Sequence, residues 1–495
     1  MNAGSNTGPR AQLKRIALAA AVGLALAGCA TVGSDFSAPK NVADTAFRHA
    51  GPENRDAAHL PKQWWTVFND DTLNRLERSA LQDNPSVRAA AQRLLQAQAQ
   101  LGLAQASRSP TLSVGASVEN DHSSATTAEG KALGGQSIKG NMVQVGASMS
   151  YEVDLLGRVR RMVEAADAQA LQAEADRDGV LLVLSGQVAS AYWQLRGLDA
   201  EMAILKGALA TREETQQLVE ARFSAGLTNE LDLARARVER ANAQADLHDV
   251  QRQRNLLEHS LATLTGASPS SALLAASANP LALPQPPAIP VGLPASLLSQ
   301  RPDLAGSVAG LRAANAQIGV AEGAFYPSLQ LTGSYGYASE SLHDLAMGGS
   351  RQFSAGPLAL SLPIFDGGRN RANLALAKAR YEEALANHEG KLLTALREVE
   401  DALSDLRERQ LQGQAQAESQ QAAARAYLVA RTRYERGISN YLDVTDAQRS
   451  ALSADRAAVQ ITTQRLLATV AVARALGAGW QPQPAVAAML AQAPE

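Results

Sequence analysis

The sequence has few of the residues that build disulfide scaffolds, metal centres and aromatic cores. It holds one cysteine in 495 residues, so no disulfide can form within the chain. Aromatic residues make up only 4% of the chain, and its seven histidines include no HExxH pair. The formal net charge of −2 gives no electrostatic case for binding nucleic acid. Gly367-Gly368 lacks a following GKS/T and is interpreted as a turn rather than a phosphate loop. We therefore expect no enzyme, no cofactor and no metal site.

Long apolar runs are also lacking, apart from one near the start of the chain. Residues 16–26 are apolar but too few to span a membrane, and they follow the charged pair Lys14-Arg15. Leu26-Ala27-Gly28-Cys29 then has the form of a bacterial lipobox. We predict that residues 1–28 are a signal peptide and that Cys29 is the lipidated first residue of the mature protein. The alternative is an ordinary signal peptide followed by an incidental cysteine.

The chain is an internal duplication built around two matching turns. The segment Arg222–Asp232 is echoed by Arg433–Asp443, and in each copy a glycine separates two helical patterns. Glycine can adopt the positive φ that ends a helix, and Ser439 or Asn440 can cap the helix that follows the second turn. Each copy therefore predicts a helix-turn-helix tip. The tip residues are Gly226, Leu227, Asn229, Gly437, Ile438 and Asn440.

Four short segments alternate between apolar and polar residues. They lie at about 111–120, 142–153, 328–338 and 355–364. Their length and period are those of transmembrane β-strands with one face towards lipid and one towards water. The alternative for the first pair is a soluble hairpin. Four strands cannot close a membrane barrel, and open edges in lipid leave backbone groups unpaired, so membrane strands would require oligomerisation.

Helical patterns occupy most of the remaining chain. Two are very long, at about 157–223 and 369–436, which corresponds to roughly 100 Å each at 1.5 Å per residue. Shorter helices are predicted at about 71–82, 85–108, 228–264, 302–325 and 440–477. In each half the combined length of the two short helices is close to the length of the long helix, as a tube of constant height requires.

These patterns divide the chain into six segments. We predict a signal peptide (1–28), a lipidated tether (29–61), a first repeat (62–266), a proline-rich linker (267–300), a second repeat (301–478) and a tail (479–495). The predicted fold class is mainly α with a transmembrane β-barrel, built from a duplicated unit of strand hairpin and long helix.

Several motifs together carry a family resemblance. They are the lipobox, the duplicated hairpin-helix unit, Tyr326-Pro327, Phe365-Asp366-Gly367-Gly368-Arg369 and the second tip. Over about residues 29–478 the chain resembles the TolC-like outer-membrane efflux factors, and most of all their lipidated OprM/NodT-type branch. The resemblance implies a homotrimer whose chains each give four strands to one twelve-stranded barrel. The barrel would continue into a periplasmic α-helical coiled-coil tube with an equatorial belt.

The resemblance also implies a function. The protein would be the outer-membrane channel of a tripartite efflux pump, a passive exit duct for small molecules such as drugs. A periplasmic adaptor would dock on the tips, and an inner-membrane RND-type transporter would supply the energy. Alanine rather than aspartate after Cys29 favours the outer membrane, by resemblance to sorted lipoproteins. The alternatives are a type I secretion duct and a periplasm-spanning structural lipoprotein without a pore.

A periplasmic gate is the last feature that the resemblance implies. Leu442 and Asp446 would face the closed pore, and Tyr434 and Arg449 would hold the second tip inward through hydrogen bonds or ion pairs. In the first tip, Asp232 and Arg235 would be their partners. The alternative is that Asp446 and Arg449, three residues apart, form an ordinary pair on a helix surface.

Overall fold

The computed structural model describes residues 31–39, 47–49, 60–132, 134–271, 274, 279–289, 301–482 and 484. Cys29 and the lipobox lie outside these residues. The chain divides into two compact units. The sheet unit comprises Met1–Ala38, Leu95–Leu171 and Val308–Asn387, and the helical unit comprises Pro39–Leu94, Gln172–Ser307 and His388–Glu495.

Helices dominate the described chain. They are α1 (Asp71–Asp83), α2 (Pro85–Ala106), α3 (Ala128–Ala132), α4 (Arg158–Ser224), α5 (Glu230–Leu264), α6 (Pro302–Gly323), α7 (Arg369–Glu435) and α8 (Tyr441–Ala475). Except for α3, all were predicted to within two residues at each end. The five residues of α3 are too few to show a helical period. Within the described residues, none of the helices has both the length and the apolar character that crossing a membrane requires.

Four antiparallel strands form one sheet in the order β1-β2-β3-β4. They are β1 (Thr111–His122), β2 (Lys139–Val153), β3 (Ser328–Ser339) and β4 (Arg351–Ser361). The predicted alternation is confirmed, because Val114 pairs with Ala147 and Ala147 with Tyr335 on one face. The sheet is therefore amphipathic from its first strand to its last.

The predicted bounds of β4 were wrong at both ends. The strand begins at Arg351 and ends at Ser361, and its register with β3 shifts between Leu331 and Gly333. Gly356 and Pro357 together oppose one residue of β3, which is a β-bulge and reverses the alternation. The prediction followed one unbroken alternation and so missed the strand before the bulge. Because Pro357 has no N–H, it suits a strand at the edge of the chain's sheet.

One core of the helical unit holds several of the scarce aromatic residues. Trp64, Phe68 and Trp193 are buried there beside Leu73 of α1. Asp70 caps α1 as predicted, since Oδ1 accepts from the backbone N–H groups of Thr72 and Leu73 at 2.9 Å. Oδ2 of Asp70 accepts from the Tyr192 hydroxyl at 2.7 Å. Burial raises the pKa of Tyr192, and Asp70 raises it further, so this hydroxyl remains a hydrogen-bond donor.

Candidate functional site: the two helical tips

The two tips share one backbone geometry. Gly226 has φ 71° and Gly437 has φ 73°. In the first tip the N–H of Leu227 donates to the Arg222 carbonyl at 2.8 Å, and in the second the N–H of Ile438 donates to the Arg433 carbonyl at 2.9 Å. This is the hydrogen bond of a Schellman ending, for which glycine is favoured. The predicted duplication of the turn is confirmed.

Asparagine side chains start the helix that follows each turn. Oδ1 of Asn229 accepts from the N–H of Asp232, and Oδ1 of Asn440 accepts from the N–H of Asp443, both at 3.0 Å. Asn440 rather than Ser439 is therefore the cap of α8. Leu227 and Ile438 at the two apexes are 76% and 63% exposed. Their contact with an adaptor remains a prediction.

Tyr434 joins the two tips by packing. Its ring lies 5.7 Å from that of Tyr441, and the Arg222 guanidinium lies 4.7 Å from the Tyr434 ring centroid, which is a cation–π contact. Val219 and Leu233 of the first hairpin belong to the same buried cluster. The Tyr434 hydroxyl has no hydrogen-bond partner in the described part of the chain. Within the described chain Tyr434 therefore contacts its neighbours through its ring, and its role in holding the tip remains a prediction.

An ion pair between Arg449 and Glu239 links the second tip to the first hairpin. Nε of Arg449 donates to Oε1 of Glu239 at 2.8 Å, and its Nη2 donates to the same oxygen. Glu239 is only 3% exposed. On its other side Nη1 of the buried Arg212 donates to the Glu239 carbonyl at 3.0 Å, and Nη2 lies 3.2 Å from Oε2. The hydrogen bond to Glu239, followed by its charge, raises the pKa of Arg449. A buried carboxylate thus stands between two guanidinium groups.

The remaining predicted gate residues range from exposed to half-buried. Leu442 is exposed, and Oδ1 of Asp446 lies 3.8 Å from Nη1 of Arg449. The surface pair named as the alternative is therefore present alongside the bond to Glu239. In the first tip Asp232 and Arg235 pair with each other at 3.6 Å. The structure does not bring that pair into contact with Asp446 or Arg449 within the described chain.

Sequence reasoning missed Glu239 and the ion pairs that follow it. One heptad beyond Arg449 on α8, Arg456 lies 2.7 Å from Oε1 of the buried Glu201 and 3.3 Å from Oδ2 of Asp246. Glu239 and Asp246 are themselves one heptad apart on α5. Matching heptads of opposite charge indicate helices that pair side by side, and that signal was available. A comparison of the two duplicated halves does not show this charge pattern, because the position equivalent to Glu239 in the second half is occupied by Ser450.

Comparisons with known proteins agree with this architecture. The family model described as "Outer membrane efflux protein" matches residues 76–267 and 293–478. Outer membrane protein OprJ of Pseudomonas aeruginosa is 36% identical over 469 residues, covering 93% of this chain and 95% of OprJ. Toluene efflux pump outer membrane protein TtgI of Pseudomonas putida is 33% identical over 441 residues, covering 88% and 91%. The solved outer-membrane channel OprN superposes with a TM-score of 0.83 at 32% identity, covering 91% of this chain and 100% of OprN. The chain belongs to the outer membrane efflux protein family.

Proposed function

We propose that the protein is the outer-membrane exit duct of a tripartite efflux pump for small organic molecules. One relative is named for toluene efflux, which favours solvents and other apolar solutes as cargo. A periplasmic adaptor docks on the tips, and an inner-membrane RND-type transporter drives the flow. The observation that carries the proposal is the amphipathic four-stranded sheet with two open edges.

The open edges favour a barrel shared between copies. In the described sheet β1 pairs only with β2, and β4 pairs only with β3. In lipid an unpaired strand edge costs several kcal/mol for each unsatisfied backbone group, so closure is required. Aromatic residues lie near both ends of the strands, with Tyr337 and Phe353 at one end and Tyr326 and Phe365 at the other. Aromatic girdles of this kind flank the apolar band of outer-membrane barrels. Three copies would then form a twelve-stranded barrel.

A strap at residues 31–35 supports lipid attachment at Cys29. Nε of Arg161 donates to the Val32 carbonyl at 3.0 Å, and Nη2 donates to the Gly33 carbonyl and to Asp35, both at 2.8 Å. Gly33 lies so close to Gly319 that a Cβ on Gly33 would be 2.6 Å from the Gly319 Cα. The strap is thereby fixed to the first turn of α4, which directly follows β2. A lipid on Cys29, two positions before Thr31, would enter the membrane beside the strands.

The tips serve as the gate in this proposal. Arg449 and Glu239 latch the second hairpin to the first, and Tyr434 packs between them. Threefold symmetry would bring the exposed Asp446 and Leu442 of three copies together around the pore. Converging carboxylates attract cations, and a ring of leucine resists wetting, so both residues suit a closed aperture.

The proposal is tested by efflux from cells. Deleting the gene should raise the accumulation of an apolar fluorescent dye, and the wild-type gene should restore its export. Native mass spectrometry of the purified protein should give a trimer, and the mature N-terminal peptide should begin with an acylated Cys29. A monomeric protein whose loss leaves dye export unchanged would refute the proposal.

A further inference from the structure

Three of the four tryptophans of the chain line one pocket in the helical unit. The pocket has a volume of about 300 Å³, and we call it the tryptophan pocket. Trp64 and Trp65 are buried and form its floor, whereas Trp480, which follows α8, is half-buried and forms a wall. Its apolar lining is completed by Leu81 of α1 and by Leu181 and Leu182 of α4. A concave site of this size with an aromatic lining is typical of small-molecule binding.

The indole N–H groups of two of these tryptophans are already bound within the chain. Nε1 of Trp64 donates to Oγ of Ser185 at 3.0 Å, and Nε1 of Trp480 donates to Oδ2 of Asp178 at 2.9 Å. Because its donor is satisfied, the half-buried Trp480 offers an occupant its ring rather than a hydrogen bond. Aromatic rings pack well on other flat rings, either offset and stacked or edge to face. The pocket therefore suits a flat, apolar occupant.

The loop after α8 holds Trp480 in position through an unusual backbone. Gly477, Ala478 and Gly479 have φ values of 83°, 47° and 72°, and the left-handed region is costly for alanine. A Cβ on Gly479 would lie 2.2 Å from the Pro61 carbonyl oxygen, so the loop packs directly against the segment that leads to Trp64. Backbone strain of this kind occurs at ligand clamps. Here it brings the end of α8 and the segment before α1 together around the pocket.

Charged side chains give the pocket a preference for one sign of charge. Asp178 accepts from Nε of Arg177 at 2.9 Å, and Glu174 lies 3.9 Å from the same guanidinium. The charge of Arg177 is therefore compensated by neighbouring carboxylates. Lys62 also lines the pocket, and its side chain is exposed. An occupant consequently meets the ammonium group of Lys62, which favours an anion.

We propose that the tryptophan pocket binds a small, flat aromatic acid. The ring packs between Trp480 and Leu181, and the carboxylate points to Lys62. This inference goes beyond the proposed function, because the pocket lies within the helical unit of one chain and shares no residue with the tips or the sheet. Most of the affinity comes from burial of the apolar ring, since an ion pair with an exposed lysine contributes little.

Isothermal titration calorimetry of the purified full-length protein with 2-naphthoate tests the pocket, with matched detergent as the blank. One naphthoate should bind per chain with a Kd of about 0.1 mM, as expected for about a dozen non-hydrogen atoms. Trp480→Ala should weaken binding about tenfold, because it removes one wall. Leu181→Trp, which fills the cavity from α4 and keeps Trp480, should abolish binding. Unchanged affinity in both variants, or no binding beyond the blank, would overturn the inference, whereas dye export by cells would still support the duct.

The charge preference has its own control. Lys62→Met should weaken the binding of 2-naphthoate about twofold to fivefold, and Lys206→Met, at an exposed lysine of α4 outside the pocket, should not change it. The neutral 2-naphthamide should bind the wild type and Lys62→Met alike. Equal affinities of the wild type and Lys62→Met for 2-naphthoate would overturn the assignment of an acid.

The tail of the chain supplies the last test, because residues 485–495 follow the pocket directly in sequence. A chain shortened to end at Pro484 should bind 2-naphthoate as the full-length protein does. Binding by the shortened chain alone would show that the tail fills the pocket, and this result would overturn the inference.

Discussion

Arg449 of the second tip donates two hydrogen bonds to one carboxylate oxygen of Glu239 in the first hairpin. Glu239 is buried while the Arg449 side chain is 55% exposed, so the latch has one fixed end and one end open to solvent. Arg212 fixes the buried end by binding the backbone and the carboxylate of Glu239. An adaptor at the tip could therefore reach Arg449 directly, whereas Glu239 would respond only through it.

Removing the buried carboxylate should loosen the tip. Glu239→Gln leaves Arg212 and Arg449 without their shared anion, and breaking such a pair costs about 3–5 kcal/mol when it is fully buried. Because Arg449 is half exposed, we expect a loss of about 2 kcal/mol in the free energy of unfolding. Urea unfolding of trimers in detergent, followed by circular dichroism, measures this change. Glu220→Gln breaks the exposed pair with Arg237 and should cost less than about 0.5 kcal/mol. Equal losses in the two variants would contradict a buried latch.

The attachment of the strap at residues 31–35 should depend on Arg161 and not on the adjacent Arg160. Arg161→Met removes the hydrogen bonds to Val32, Gly33 and Asp35 but keeps the bulk of the side chain. We expect limited proteolysis to cut near residues 31–39 several times faster in this variant, because the strap loses its polar contacts. The control is Arg160→Met, whose exposed side chain lies 3.5 Å from Asp154 and touches no strap residue through a hydrogen bond. Equal cleavage rates would show that packing alone holds the strap.

A buried carboxyl group in α1 should make stability depend on pH. Glu77 is fully buried, neither of its oxygens has a hydrogen-bond partner among the described residues, and burial raises its pKa well above the usual value. Its folded-state pKa is therefore higher than its unfolded-state pKa. Its contribution to stability is then complete in acid, below the unfolded pKa of about 4.3, and is lost as the pH rises through the folded pKa. Glu77→Gln removes this dependence.

Thermal unfolding across a range of pH tests the prediction at Glu77. The melting temperature of Glu77→Gln should exceed that of the wild type near neutral pH, and the difference should shrink towards pH 4. Glu418→Gln, an exposed carboxylate on α7, should show no such trend. A Glu77→Gln variant less stable than the wild type at neutral pH would mean that the carboxylate has a stabilising partner in the assembled protein.

Local sequence signals predicted nearly all of the fold. Helix ends followed from glycine and asparagine at the tips, and strands followed from alternation, because both signals are local in the chain. The predicted bounds of β4 were wrong because of the bulge at Gly356-Pro357, where an inserted residue reverses the alternation of apolar and polar residues. The latch at Glu239 was missed because its partners Arg212 and Arg449 come from two other helices. The matching heptads on α5 and α8 indicate that these two helices pair, but the burial of Glu239 beside Arg212 follows only from the packing of three helices. The tip residues, by contrast, follow from the local sequence of the turn.

Single-channel conductance in planar bilayers tests the account most directly. The double variant Tyr434→Phe/Arg449→Ser removes the bond to Glu239, while Tyr434→Phe alone removes a hydroxyl that has no partner in the described chain. The purified wild type should insert as a pore that is mostly closed. The double variant should conduct more, Tyr434→Phe alone should conduct like the wild type, and Asp446→Ala should weaken block by divalent cations. If the double variant conducts no more than the wild type while its trimer stays intact, the latch does not close the duct and the account of the tips is wrong.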